Sequence, residues 1–151
     1  MPLDPESNGT RESARESLAD VIEVRLPPIS DYLTVLRATV GVLAGSMSFN
    51  YDEIIQLRVA VSEAFTLAIR RTTQGGPASI PRELGVRFIV ETDRIEILVA
   101  NPGSVPGPPS VEEDIESQAL LESLMDEVEV GEGATDKPLI RMAKYITAPE
   151  G

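Results

Sequence analysis

Glu63 stands inside RVAVSEAFTLAIRR, Arg58 to Arg71, as the one carboxylate of an otherwise largely apolar run. Such a group either belongs to a helix flank or does chemistry. The sequence has no histidine and no cysteine. A histidine base, a thiol nucleophile and the usual zinc sites are therefore excluded. Catalysis would have to rest on carboxylates, hydroxyls, Lys, Arg or backbone groups. By spacing alone, Glu63 reads as a flank residue paired with Arg70 or Arg71. Asn101-Pro102-Gly103, read alone, is turn chemistry. Ser110, Ser117 and Ser123 lack a histidine to activate them and read as cap and surface residues. DEVEVGEGATD lacks the alternating oxygen ligands of a calcium loop.

These residues need elements to position them. VIEVRLPP alternates and stops at two prolines, which predicts a strand and a break. In YLTVLRATVGVLAGSM, Leu33, Leu36, Val40 and Leu43 recur at helical spacing, with Ser30 or Asp31 as the N-cap. A second helix is expected after Asn50, a good N-cap followed by Asp52 and Glu53, and should end near Thr73. Its apolar stripe is Ile54, Leu57, Val61, Ala64, Phe65 and Ala68. GVRFIVETDRIEILVANPG predicts a hairpin turning at ETDR. PGSVPGPPS reads as loop, and SVEEDIESQALLESLMDEV as a helix capped by Ser110. VEVGEGATDKP is a short strand and turn. LIRMAKYI is a last strand carrying Lys144, expected in solvent.

The 151 residues suit one domain, 42% hydrophobic and 25% charged. Residues 1 to 20 read as a disordered polar tail, 21–147 as the domain and 148–151 as a second tail. The order of elements predicts an α+β fold, a two-layer sandwich with a mixed, mostly antiparallel sheet covered on one face by about three helices. Net charge is −12, which disfavours nucleic acid and anionic membranes as direct ligands. Ten carboxylates lie between Ser110 and Asp136, and no Lys or Arg between Arg94 and Lys137. This is a solvated acidic face or a surface for a basic partner protein, and it gives little help to a triphosphate. No apolar run reaches membrane-spanning length and no signal peptide is seen, so the expected home is the cytoplasm.

The order and these residues resemble the GHKL (histidine kinase-like) ATPase fold. Within it, the chain resembles the anti-sigma regulatory factors, which are serine-protein kinases. LRVAVSEAFTLAI is similar to the family's N-box helix, with Glu63 at its catalytic Glu. VLRATVGVLA is similar to the first family helix, whose partner-facing Arg falls on Arg37. ILVANPGSV is similar to the strand and turn of Asp-x-Gly-x-Gly. ESQALLESLMDEVEV is similar to the helix after the nucleotide lid, with LMDEVEV kept.

The resemblance implies that Glu63 orients a hydroxyl for attack on a γ-phosphate, and that Asn101 and Gly103 belong to a nucleotide site. Five positions depart from the pattern. Leu67 replaces the Mg²⁺-holding Asn, Asn101 replaces the Asp, Val105 replaces a Gly, and Ile115 and Ser117 replace the post-lid glycines. Mg²⁺ needs oxygen ligands, so Leu67 is a loss in kind. Resemblance and departures together imply a regulatory protein with a degenerate nucleotide site. It would bind a sigma factor or a STAS-type antagonist, act in transcription control under stress, and form a homodimer. No cofactor is then expected; ATP and Mg²⁺ enter only if the site still functions. The alternatives are an active serine kinase with Glu63 as base, and a non-catalytic scaffold in another signalling complex.

Overall fold

The computed structural model describes residues 19–73, 82–100, 111–131 and 137–147. The expected tails and the 102–110 loop lie largely or wholly outside them, as do Asn101, Gly103, Val105 and Ser110. Strands β1 (Asp20–Leu26), β2 (Leu84–Val90), β3 (Arg94–Val99), β4 (Glu127–Val130) and β5 (Ile140–Tyr145) form one sheet in the order β1-β2-β3-β5-β4. Helices α1 (Leu33–Gly45), α2 (Tyr51–Thr73) and α3 (Val111–Leu124) complete an α+β architecture.

Among the described residues every strand pairing is antiparallel, where a mixed sheet was expected. The last strand, β5, enters between β3 and β4 and runs against both. The hairpin forms at its expected place, with Glu91 N–H closing on the Arg94 carbonyl at 2.9 Å.

The apolar period of 3.6 sets the helix packing. On α1, Leu36 and Val40 are buried; on α2, Leu57, Val61, Ala64, Phe65 and Ala68 are. They join Val86, Phe88, Ile95, Ile97 and Met142 from the sheet in one core. Asn50 caps α2 as the sequence indicates. Its side-chain oxygen accepts the Glu53 N–H at 2.8 Å, and Glu53 Oε1 accepts the Asn50 N–H at 2.8 Å. This reciprocal pair satisfies two orphan donors of the first turn. By contrast, neither Ser30 nor Asp31 caps α1. They lie in a 3-10 turn, Ser30–Tyr32, that leads into it without a side-chain cap.

Two further expectations are corrected at the end of α3. The helix stops at Leu124, because the Asp126 N–H turns to the Ala143 carbonyl at 3.0 Å and opens β4. Lys144 is buried, not exposed. Its register partner on β3 is Ile95, which is fully buried. Its ammonium donates to the Leu124 carbonyl at 2.7 Å, the favourable end of the helix dipole.

The other sheet face carries a charge ladder. Arg141 contacts Glu96 at 2.6 Å and Glu127 at 3.1 Å, and the Tyr145 hydroxyl donates to Glu127 at 2.6 Å. The Tyr145 bond, then Arg141, holds the Glu127 carboxyl below its usual range. A depressed folded-state pKa contributes stability above the unfolded value, lost as pH falls through the folded one. Glu127→Gln should therefore flatten the loss of Tm below about pH 4, where an ordinary Glu titrates. Thermal melts against pH check this; an unchanged acid limb would contradict it.

Candidate functional site

The C-terminal half of α2 presents two different sides. One side is core. Leu67, one helical turn after Glu63, has 0% exposure and packs among the buried apolar residues. The other side is a polar corner where α3 crosses. The buried residues of α3 fall at Asp114, Ser117 and Leu121, which is helical spacing for one inward stripe. That stripe is polar at its start and apolar toward Met125.

At the corner the groups interlock. Arg71 Nε meets Asp114 Oδ2 at 2.9 Å, with both side chains nearly buried. Arg70 Nη2 approaches Asp114 Oδ1 at 3.5 Å and donates to the Ser117 hydroxyl at 2.6 Å. Ser117 in turn donates to Glu63 Oε2 at 3.0 Å. One directed chain thus runs from a guanidinium through a hydroxyl to a carboxylate, and each bond polarises the next.

Several sequence-based expectations are corrected here. Arg70 and Arg71 reach across to α3, and Glu63 is met by a hydroxyl from 54 residues away. Ser117 is buried rather than a surface or cap residue. Ser123 is exposed and bonds the Leu120 carbonyl, as expected. Sequence reasoning does not single out Asp114, because one acid among ten carries no mark of facing inward.

Ile115 and Ser117, which stand where the family pattern has glycines, lie inside a continuous helix. Their N–H groups sit where helix geometry directs them to carbonyls four residues earlier, not to a phosphate. Leu67 offers no oxygen to a cation. Among the described residues, no group of three or more carboxylates is placed to hold a metal ion. The resemblance-based roles of Asn101 and Gly103 fall outside the described residues.

Arg37 lies elsewhere, at the α1–α2 crossing. Its Nε donates to Ser62 Oγ at 2.8 Å, and the Ser62 hydroxyl donates to the Arg58 carbonyl at 2.9 Å. Arg37, Ile55, Arg58, Val59 and Ser62 line an open groove of about 360 Å³. Tyr51, Ile55 and Val59 form an exposed stripe along α2, and Val35 and Val42 are exposed on α1. The partially buried guanidinium is thus held beside an apolar surface. The structure brings neither Arg37 nor its groove into contact with the Glu63 corner among the described hydrogen bonds.

An open antiparallel sheet, a capped helix carrying Glu63 and an acidic helix laid over it define the class. A family profile described as the histidine kinase-like ATPase domain matches residues 26–144. The chain belongs to this family, and the resemblance read from residues 21–147 is borne out at that level. Among its relatives is the serine-protein kinase RsbW of Bacillus pumilus, 33% identical over 84% of this chain and 86% of the relative. The proteins of that name from Bacillus licheniformis and Bacillus subtilis are 35% and 34% identical, each over 85% of this chain and 87% of the relative.

The core setting of Leu67 gives a direct check. Leu67→Asn would restore the family's residue type but bury an amide among apolar groups. It should cost about 3 kcal/mol from lost burial and an unpaired polar group. Urea denaturation measures this. A neutral substitution would show that position 67 opens to solvent.

Proposed function

We propose that the protein is an anti-sigma-type regulator that works by binding rather than by phosphoryl transfer. It would hold a sigma factor, and a STAS-type antagonist would compete for the same protein. The observation that carries this reading is Leu67, fully buried one turn from Glu63, where a metal-holding oxygen would be needed. Ile115 and Ser117 support it, since helical backbone replaces a glycine-built phosphate cradle. The RsbW relatives carry serine-kinase names, so ancestry from a kinase is consistent with this loss.

Arg37 and its groove are the proposed contact for the protein partner. A guanidinium beside exposed apolar side chains is the composition that anchors protein interfaces. The Ser62 bond holds the side chain in place, which lowers the ordering cost on association. Exchange between partners would then follow mass action, without a covalent step. A homodimer in the cytoplasm is part of the same proposal. No described helix is long and apolar enough to cross a membrane.

A second reading, a serine kinase acting on the antagonist, is favoured by one observation. Glu63 already accepts a serine hydroxyl at 3.0 Å, the contact a base makes with its substrate.

Two measurements separate the readings. Mg²⁺ and ATP at about 100 times a dissociation constant stabilise a binder by about 2.7 kcal/mol. The binding reading predicts no thermal shift; the kinase reading predicts a clear one. Arg37→Glu should weaken capture of the sigma factor by about tenfold or more while leaving Tm within a few degrees. Unchanged capture would remove Arg37 from the interface.

A further inference from the structure

Among the described residues the sheet ends in two unpaired edges, β1 and β4. Residues of an antiparallel strand direct their backbone groups alternately to one neighbour and to the other side. On β5, Tyr145 N–H reaches Asp126 Oδ2 at 2.7 Å, toward β4. The next residue turns the other way, with Ile146 N–H on the Asp93 carbonyl at 2.8 Å. By that alternation Ala143 and Arg141 face β4, where their register partners are Glu127 and Glu129. The N–H and C=O groups of Val128 and Val130 therefore point out from the edge. Their side chains pack against the core. Glu127 stands on the outer face with Arg141 and Tyr145, and Glu129, two residues on, shares that face. Beside the edge lies an open groove of about 490 Å³ that reaches Met125 at the end of α3. Its charged lining is Glu122, Asp126, Glu127 and Glu129 against one Arg141.

We propose that the β4 edge and its groove take an extended, basic segment of another polypeptide as an added strand. Basic and apolar residues alternate in that segment. Its basic side chains stand beside Glu127 and Glu129, and its apolar ones beside Val128 and Val130. The backbone of Val128 and Val130 supplies the pairing, and the acids select the sign of charge. A second copy of this chain is the wrong occupant. Laid antiparallel on its own copy, β4 sets Glu127 and Glu129 against the same two acids. The acids thus keep the bare edge from pairing with itself and leave it open to a cationic strand. The other edge makes no such choice, because Glu23 and Arg25 meet on β1 at 3.4 Å and balance. The surface is separate from the Arg37 groove, and the inference invokes neither a sigma factor nor a nucleotide.

The test uses the full chain and a short acetylated peptide in which lysine and valine alternate. One control peptide has the same composition with its lysines and valines in separate blocks. The other is the alternating peptide with alternate backbone nitrogens methylated, so that it cannot pair. Calorimetry should show the alternating peptide binding about tenfold or more tightly than either control. Amide exchange at Val128 and Val130 should slow on binding, while that at Glu129, already turned to β5, stays as it is. Glu129→Lys should weaken the alternating peptide about tenfold, and rising salt should weaken it in the parent. Equal binding of the block peptide would reduce the site to charge attraction and overturn strand addition. Unaltered exchange at Val128 and Val130 would do the same. Undiminished affinity in Glu129→Lys would overturn the role of the acids. Binding by none of the peptides would leave the acids as a guard of the edge only, and the proposal would fall. If Glu129→Lys self-associates or unfolds, Glu122→Lys and the methylated peptide decide in its place. A failed Arg37→Glu assay would sink the partner reading at that groove and leave these outcomes untouched.

Discussion

The ion pair between Arg71 and Asp114 joins the C-terminal end of α2 to the N-terminal part of α3. Both charges are largely withdrawn from water, so each depends on the other. Such a pair adds little net stability compared with apolar packing, but removing one partner strands the other. It therefore selects one placement of α3. With Asp114 set against Arg71, Ser117 falls one turn further on, against Arg70 and Glu63, and Leu121 falls into the core. The far end of α3 is held independently by Lys144.

Helix α2 carries both the core and the polar corner. Its 23 residues begin at a reciprocal Asn50–Glu53 cap and end with the two arginines, charges suited to either pole of the dipole. The same helical period that buries Leu67 places Glu63 at the rim. A residue four positions from Glu63 in the family pattern should share its face. In this chain Leu67 is drawn inward, and the corner is completed by α3.

Much of this is legible in the sequence. The stripe of α2, the hairpin alternation and the Asn50 cap all follow local periods or local hydrogen bonds, and all appear where expected. The family is legible because packing residues and LMDEVEV survive around altered positions. Other features are not. Ser117 depends on Glu63, 54 residues away, and no local pattern records that distance. Lys144 reads as exposed because lysine seldom lies inside; its stem is buried and its head reaches a helix end. The strand at Glu127 reads partly as helix, since the acid-rich run keeps helical propensity until backbone pairing with β5 overrides it. Side-chain capping at Ser30 or Asp31 fails because a 3-10 turn occupies the approach to α1.

The proposed loss of phosphoryl transfer rests on Leu67, which faces the core one turn from Glu63 and offers no oxygen to a metal. The most direct measurement is the electron paramagnetic resonance spectrum of Mn²⁺ with ATP, recorded with and without excess protein. The expected result is the same spectrum of free Mn²⁺–ATP in both samples. A slowed, protein-bound Mn²⁺ signal that requires ATP and disappears in Glu63→Ala would contradict it.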